Sequence, residues 1–194
     1  MRKRRKGLNF SRRRRKLNLP LIKEIFSYIV ECAVVIGIAY TLVSFFGLRT
    51  SVVGNAMADT LVNDEQIFVN RFVYIVSSPK PGDVVVFLPN GNVKSHYYVR
   101  RVIAGPGDRV KISDGAVYVN GELFVEKTAV ASIEDPGIAA DEIRLGDEEY
   151  FVLGDNRNNS EDSRLANIGN VKKEYIIGKA WFHFESFGNM GTIR

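Results

Sequence analysis

The run Gly154-Asp155-Asn156-Arg157-Asn158-Asn159-Ser160-Glu161-Asp162-Ser163-Arg164 gathers carboxylates, guanidiniums, amides and hydroxyls in one short stretch. Asp155, Arg157, Asp162 and Arg164 could form a charge network beneath a site. The same residues suit a turn, because Asp and Asn side chains satisfy local backbone donors and Gly154 permits positive φ. Other chemistries have less to work with. The single cysteine, Cys32, forbids an intrachain disulfide, and with two histidines the chain has too few soft ligands for a structural zinc site. His96 and His183 lie too far apart for ligand spacing and are read as ordinary strand residues. No metal or cofactor is expected.

These residues must be positioned by the rest of the chain, whose charge is sharply divided. Ten of the 27 basic side chains lie in residues 1–20, in the blocks Arg2–Lys6 and Arg12–Lys16, with no acid among them. The remaining 17 face 22 acidic groups, so residues 21–194 carry a net charge of −5. A uniformly basic nucleic-acid binder is excluded, and no Trp or Tyr interleaves the basic tail to stack bases. Ile25 to Leu48 then runs 24 residues with one charge, Glu31. About 20 apolar residues in a helix span a bilayer core. The expected order is a basic cytoplasmic tail over 1–24, a transmembrane helix over 25–48 and an extracytoplasmic domain over 49–194, by the positive-inside rule. A cleaved secretory leader fits less well, since the apolar stretch exceeds the usual length and no small-x-small pattern ends it.

Beyond Thr50 the pattern changes to short β-branched and aromatic runs. Gln66–Phe72, Asp83–Leu88, His96–Ala104, Val110–Ser113, Ala116–Val119, Glu122–Val125, Tyr150–Leu153 and Tyr175–Phe184 read as strands. Asp114-Gly115 and Asn120-Gly121 are type I′ hairpin signals. Pro106-Gly107-Asp108 reads as a turn between strands. The segment Lys127–Gly146, rich in Ala, Asp, Glu, Pro and Gly, reads as a surface loop. The fold class is mainly β, an antiparallel domain after one N-terminal transmembrane helix.

Four stretches line up in order. They are Gly54-Asn55-Ala56-Met57-Ala58-Asp59-Thr60-Leu61, Pro81-Gly82-Asp83-Val84-Val85-Val86-Phe87, the run from Tyr98 to Asp108, and Gly154 to Arg164. Together with the anchor they resemble the type I signal peptidases in their small Gram-positive form. The resemblance implies a mostly antiparallel β fold and a serine protease using a Ser–Lys dyad at the outer face of the membrane. In that chemistry a lysine kept neutral by burial takes the serine proton, and the oxygen attacks the scissile carbonyl.

Against the family pattern the chain departs at three positions. Ala56 aligns with the nucleophilic serine and Arg100 with the general-base lysine. Asp59 replaces the proline of the Ser-Met-x-Pro-Thr-Leu motif. Alanine has no nucleophile, and arginine is not deprotonated in a protein. The resemblance implies site-supporting roles for Gly54, Met57, Asp59, Arg101, Asp155, Arg157, Ser160, Asp162 and Arg164, with Ser160 and Asp162 backing the base. The opposite charges of Asp59 and Arg100 raise the expectation of an ion pair in the old catalytic centre. The alternative sends Asp59 to water and leaves Arg100 held by Ser160 and Asp162. A relocated dyad would draw on Ser51, Thr60 or Ser95 with Lys94. On a regular strand, however, Lys94 and Arg100 would stand roughly 20 Å apart.

The expected function is therefore a membrane protein that binds secreted preproteins or pilin subunits without cutting them. Within the resemblance, non-cleaving relatives occur in Gram-positive pilus gene clusters, which implies a sortase system as a partner. The competing expectations are an active signal peptidase I and a structural membrane protein with no cleft function.

Overall fold

The computed structural model describes residues 18–126, 129–184 and 190–193. Most of the basic tail lies outside these residues. A helix, α1, runs Leu19–Phe46, and Leu19–Ser44 is long and apolar enough to cross a membrane. At 1.5 Å per residue those 26 residues extend about 40 Å. The helix begins six residues before the expected Ile25, and it accommodates Pro20 in its first turn, where the missing N–H costs nothing. It also ends earlier than expected, and Leu48 belongs to a strand.

Residues 43–194 form a separate compact unit. Its strands are β1 (Gly47–Ser51), β2 (Gln66–Asn70), β3 (Val84–Phe87), β4 (Tyr98–Ala104), β5 (Arg109–Ser113), β6 (Ala116–Val119), β7 (Glu122–Leu123), β8 (Ile143–Arg144), β9 (Glu149–Leu153), β10 (Val171–Lys172), β11 (Ile176–Phe184) and β12 (Met190–Thr192). The large sheet is ordered β1-β2-β11-β3-β4-β9-β10, with β12 added on β11. A smaller sheet is ordered β7-β6-β5-β8. Every pairing is antiparallel.

The unbroken apolar run of β3 has a simple cause. This strand is buried on both faces, with Val84 and Val86 in one core cluster and Val85 and Phe87 in another. Both hairpin signals hold: Asp114 and Gly115, and Asn120 and Gly121, all take positive φ. The Pro106-Gly107 turn closes with Asp108 N donating to the Gly105 carbonyl at 3.1 Å. In the expected loop 127–146, the described residues 129–146 are not simply surface. Its Ile133, Ala139 and Leu145 are buried beneath the small sheet with Val110, Ile112 and Val117, and it contributes β8. These apolar residues are isolated in a polar stretch and show no periodicity. The strands β1, β8, β10 and β12, absent from the expected list, are all five residues or shorter.

At Gly178 of β11 the backbone of the neighbouring strand leaves no room for a side chain. A Cβ there would stand 2.5 Å from the Asn70 carbonyl oxygen and 3.0 Å from Arg71 Cα, both main-chain atoms that cannot swing aside. We expect Gly178→Ala to destabilise the unit by about 1–3 kcal/mol through overpacking between β2 and β11. Urea denaturation of the detergent-solubilised chain, followed by the single Trp181, measures it.

Candidate functional site

Residues 54–61 fold as a compact turn. Gly54 takes φ 86° and its N–H donates to Asn63 Oδ1 at 2.7 Å. Thr60 N and Leu61 N both return to the Met57 carbonyl, at 2.8 and 2.6 Å. Met57 and Leu61 bury their side chains in the core with Val84 and Val99. This anchoring presents Ala56 beside the segment that follows β9. The Ala56 carbonyl accepts from Asn156 N at 3.1 Å, and the Asn55 carbonyl accepts from Asn156 Nδ2 at 3.1 Å.

Strand β4 supplies the second wall. Tyr98, Arg100 and Val102 alternate onto one face, while Val99, Arg101 and Ile103 take the other. Arg101 is buried and clamps Asp155 with both prongs, Nε to Oδ1 at 2.8 Å and Nη2 to Oδ2 at 2.6 Å. Thr60 Oγ1 donates to the same carboxylate at 2.5 Å. Arg100 is also buried, but its bonds differ. Nε donates to the Glu161 carbonyl at 2.8 Å and Nη1 to the Val99 carbonyl at 2.6 Å, while the guanidinium lies 5.0 Å from the Tyr98 ring centroid. Burial pulls the Arg100 guanidinium below its ordinary value, and the nearby Asp162 carboxylate opposes that shift. Tyr98 donates to Glu161 Oε2 at 2.7 Å, and this bond, with burial behind it, raises the phenol above its usual value.

The third wall is the segment 154–164. Arg164 grips Asp162 through Nε and Nη2, each at 2.8 Å, and Gly154 N donates to Asp162 Oδ2 at 3.1 Å. Arg157 donates to the Gly154 carbonyl at 2.9 Å and pairs with Glu126. The anticipated network forms in part: Asp162 pairs with Arg164 inside the stretch, whereas Asp155 pairs with Arg101 and Arg157 with Glu126 outside it. Gly154 does not use positive φ. Its side chain is absent because a Cβ would stand 2.2 Å from Ser160 Oγ and 2.5 Å from the Ala56 carbonyl oxygen.

The three walls enclose a cleft of about 260 Å³. Gly54, Asn55 and Ala56 line one side, and His96, Tyr98 and Arg100 another. Asn159 and Glu161 close the third. His96, read as a strand residue, instead lies before β4 on the cleft wall. His183 is on β11, with Nδ1 2.5 Å from Glu65 Oε1. Among the described residues no group of three or more His, Cys, Asp or Glu is assembled for a metal.

Two expectations fail. Asp59 is exposed, and no ion pair joins it to Arg100 among the described residues. The alternative support also fails in part, since Ser160 Oγ is buried with no hydrogen-bond partner among the described residues, and Asp162 is taken up by Arg164. Arg100 instead turns to main-chain carbonyls and an aromatic face. Lys94 sits in an exposed turn before β4 rather than on the strand, and Thr60 is committed to Asp155. No relocated dyad is assembled from them.

The family profile described as "Signal peptidase, peptidase S26" matches residues 25–185. The chain belongs to this family. It is 32% identical over 157 residues to the "Probable signal peptidase I-2" of Synechocystis sp., covering 76% of this chain and 70% of that one. It is 38% identical over 132 residues to "Signal peptidase I P" of Bacillus subtilis subsp. natto, covering 64% of this chain and 70% of that one. A crystal structure of a signal peptidase I from Enterococcus faecalis matches with a TM-score of 0.41 and 25% identity, over 54% of this chain and 97% of that one.

In this peptidase S26 member the Arg101–Asp155 pair is buried and holds three segments, so its loss is testable. We expect Asp155→Asn to cost about 3–5 kcal/mol, because the Arg101 cation then lacks its carboxylate. Replacing both, as Arg101→Met with Asp155→Leu, should cost less than that single change. A double-mutant cycle in urea checks it.

Proposed function

We propose that this signal peptidase-family protein binds extended segments of secreted preproteins or pilin subunits in its cleft without cutting them, and so assists their surface assembly, with a sortase system as the partner. The observation that carries this reading is the pair of side chains lining the cleft, a methyl group at Ala56 and a guanidinium at Arg100. Neither can act as a nucleophile or a general base at neutral pH. Bonds from Arg100 to the Val99 and Glu161 carbonyls need its protons and favour the charged form further. Binding without cleavage has a natural mode here, because main-chain hydrogen bonds to an extended peptide lying in the cleft give sequence-tolerant affinity.

The second reading is an active signal peptidase I, removing signal peptides as a membrane serine endopeptidase. The names of the relatives favour it. A cleavage assay of the detergent-solubilised chain on a preprotein separates the two readings.

We expect no cleavage by the unmodified chain and none by Ala56→Ser, since the new hydroxyl would lack a base worth roughly 10²–10⁴-fold. Ala56→Ser combined with Arg100→Lys should recover measurable activity. Processing by the unmodified chain, lost on changing some other Ser or Thr, would overturn the non-cutting reading.

The reading also requires the β unit to lie outside the cell membrane, with the N-terminus cytoplasmic. Ten basic residues ahead of α1 favour that orientation. Protease added to intact protoplasts should then degrade the chain beyond residue 50, and protection of that region would reverse the topology.

A further inference from the structure

Arg100 is a buried cation with an incomplete set of partners. It is 6% exposed, and no carboxylate lies within salt-bridge distance of it among the described residues. The two acids nearest it are spoken for: Asp162 by Arg164 and Gly154 N, Glu161 by the Tyr98 hydroxyl. Nε and Nη1 reach main-chain carbonyls, and Nη2 has no hydrogen-bond partner among the described residues. Nor is Nη2 sealed in, for the fully buried polar side-chain atoms without partners among those residues are Ser160 Oγ and Asn170 Oδ1. The open edge of the guanidinium therefore gives onto the cleft.

A buried charge is costly until it is paired, and guanidinium is the side chain best matched to a carboxylate. Carbonyl dipoles and the face of Tyr98 offset part of that cost but bring no opposite charge. The cleft, at about 260 Å³, exceeds what a lone carboxylate fills and has room for a short run of small residues beside Ala56. Glu161 lines the same space, with one carboxylate oxygen held by the Tyr98 hydroxyl.

The geometry points to a carboxylate-specific cleft: Arg100 holds the carboxylate of a bound peptide, supplied by its free C-terminus or by an Asp or Glu side chain. This rests on the reading of the cleft as a peptide site. It adds the substrate class, a peptide carrying an anionic group at the position Arg100 faces.

Four fluorescently labelled hexapeptides of small residues test it by anisotropy with the detergent-solubilised full chain. One ends in a free acid, one in an amide, one is amidated with an internal Asp, and one is amidated with an internal Asn. The acid-bearing peptide that engages Arg100 should bind about tenfold or more tighter than its neutral twin, as a charge-assisted hydrogen bond implies. A preference only for the free-acid end identifies a chain terminus, and a preference only for Asp identifies a side chain. Equal binding of both acid–neutral pairs overturns the proposal, and that comparison needs no variant. Arg100→Gln should abolish the preference, whereas a preference unchanged in Arg100→Gln also overturns it. Cleavage of a preprotein by the same sample would sink the non-cutting reading while leaving the carboxylate preference to be judged on the peptides alone.

Discussion

One carboxylate organises this site. Asp155 accepts both prongs of Arg101 from β4 and the hydroxyl of Thr60 from the turn after β1. These residues are 54 and 95 positions away from it in sequence. No local propensity could bring them together, and the buried pair does so with directional bonds on several sides. A buried pair of this kind is weak evidence for stability, because desolvation opposes the Coulombic attraction. Its contribution is specificity of arrangement. With Asp155 fixed, the turn carrying Ala56, the strand carrying Arg100 and the segment carrying Asp162 have one mutual placement.

Adjacent arginines on β4 show how strand alternation distributes chemistry. Arg101 turns to the interior, where Asp155 neutralises it. Arg100, one residue earlier, turns to the opposite face and meets the cleft. The same alternation stacks it on Tyr98, two residues before it. Both cations are buried, yet one has a carboxylate and the other has carbonyl oxygens and a ring. That difference arises from the neighbours each face meets, since the two residue types are identical. The β unit as a whole is acidic, so the cation in the cleft is a local feature set by the fold.

Much of this was legible in the chain. Alternation and turn dipeptides located eight strands, with errors of a few residues at their ends. The Asp-Gly and Asn-Gly turns were readable because their backbone geometry admits few residue types. The short strands at Ile143–Arg144 and Val171–Lys172 were not, since two residues carry no period. In the site, the order of the four stretches was visible, whereas the pairing of charges was not. Asp155 and Arg157 stand in one charged stretch, but their partners, Arg101 and Glu126, come from elsewhere in the chain. Asp59 and Arg100 look complementary by charge, yet Asp59 faces water, where a carboxylate is already well solvated and gains nothing by burial. His96 reaches the cleft through a turn that β-propensity does not foresee.

Packing at Gly154 separates what the fold requires from what chemistry would require. A side chain at 154 would collide with both Ser160 Oγ and the Ala56 carbonyl, so these groups converge on one point. The Ala56 carbonyl is in turn held by Asn156 N. The fold thus uses the backbone of residue 56 and asks little of its side chain. Ser160 Oγ, buried against the same point, is left without a partner among the described residues, at a cost of about 1–3 kcal/mol for a hydroxyl out of water. Nothing in the packing explains a hydroxyl there over a methyl group. The Arg100 guanidinium does not bond to that oxygen and donates instead to the Glu161 carbonyl. The scaffold can therefore persist with its hydroxyl idle, because the bonds that hold it run through main-chain atoms and through Asp155 and Asp162, none of which depends on the side chain at 56.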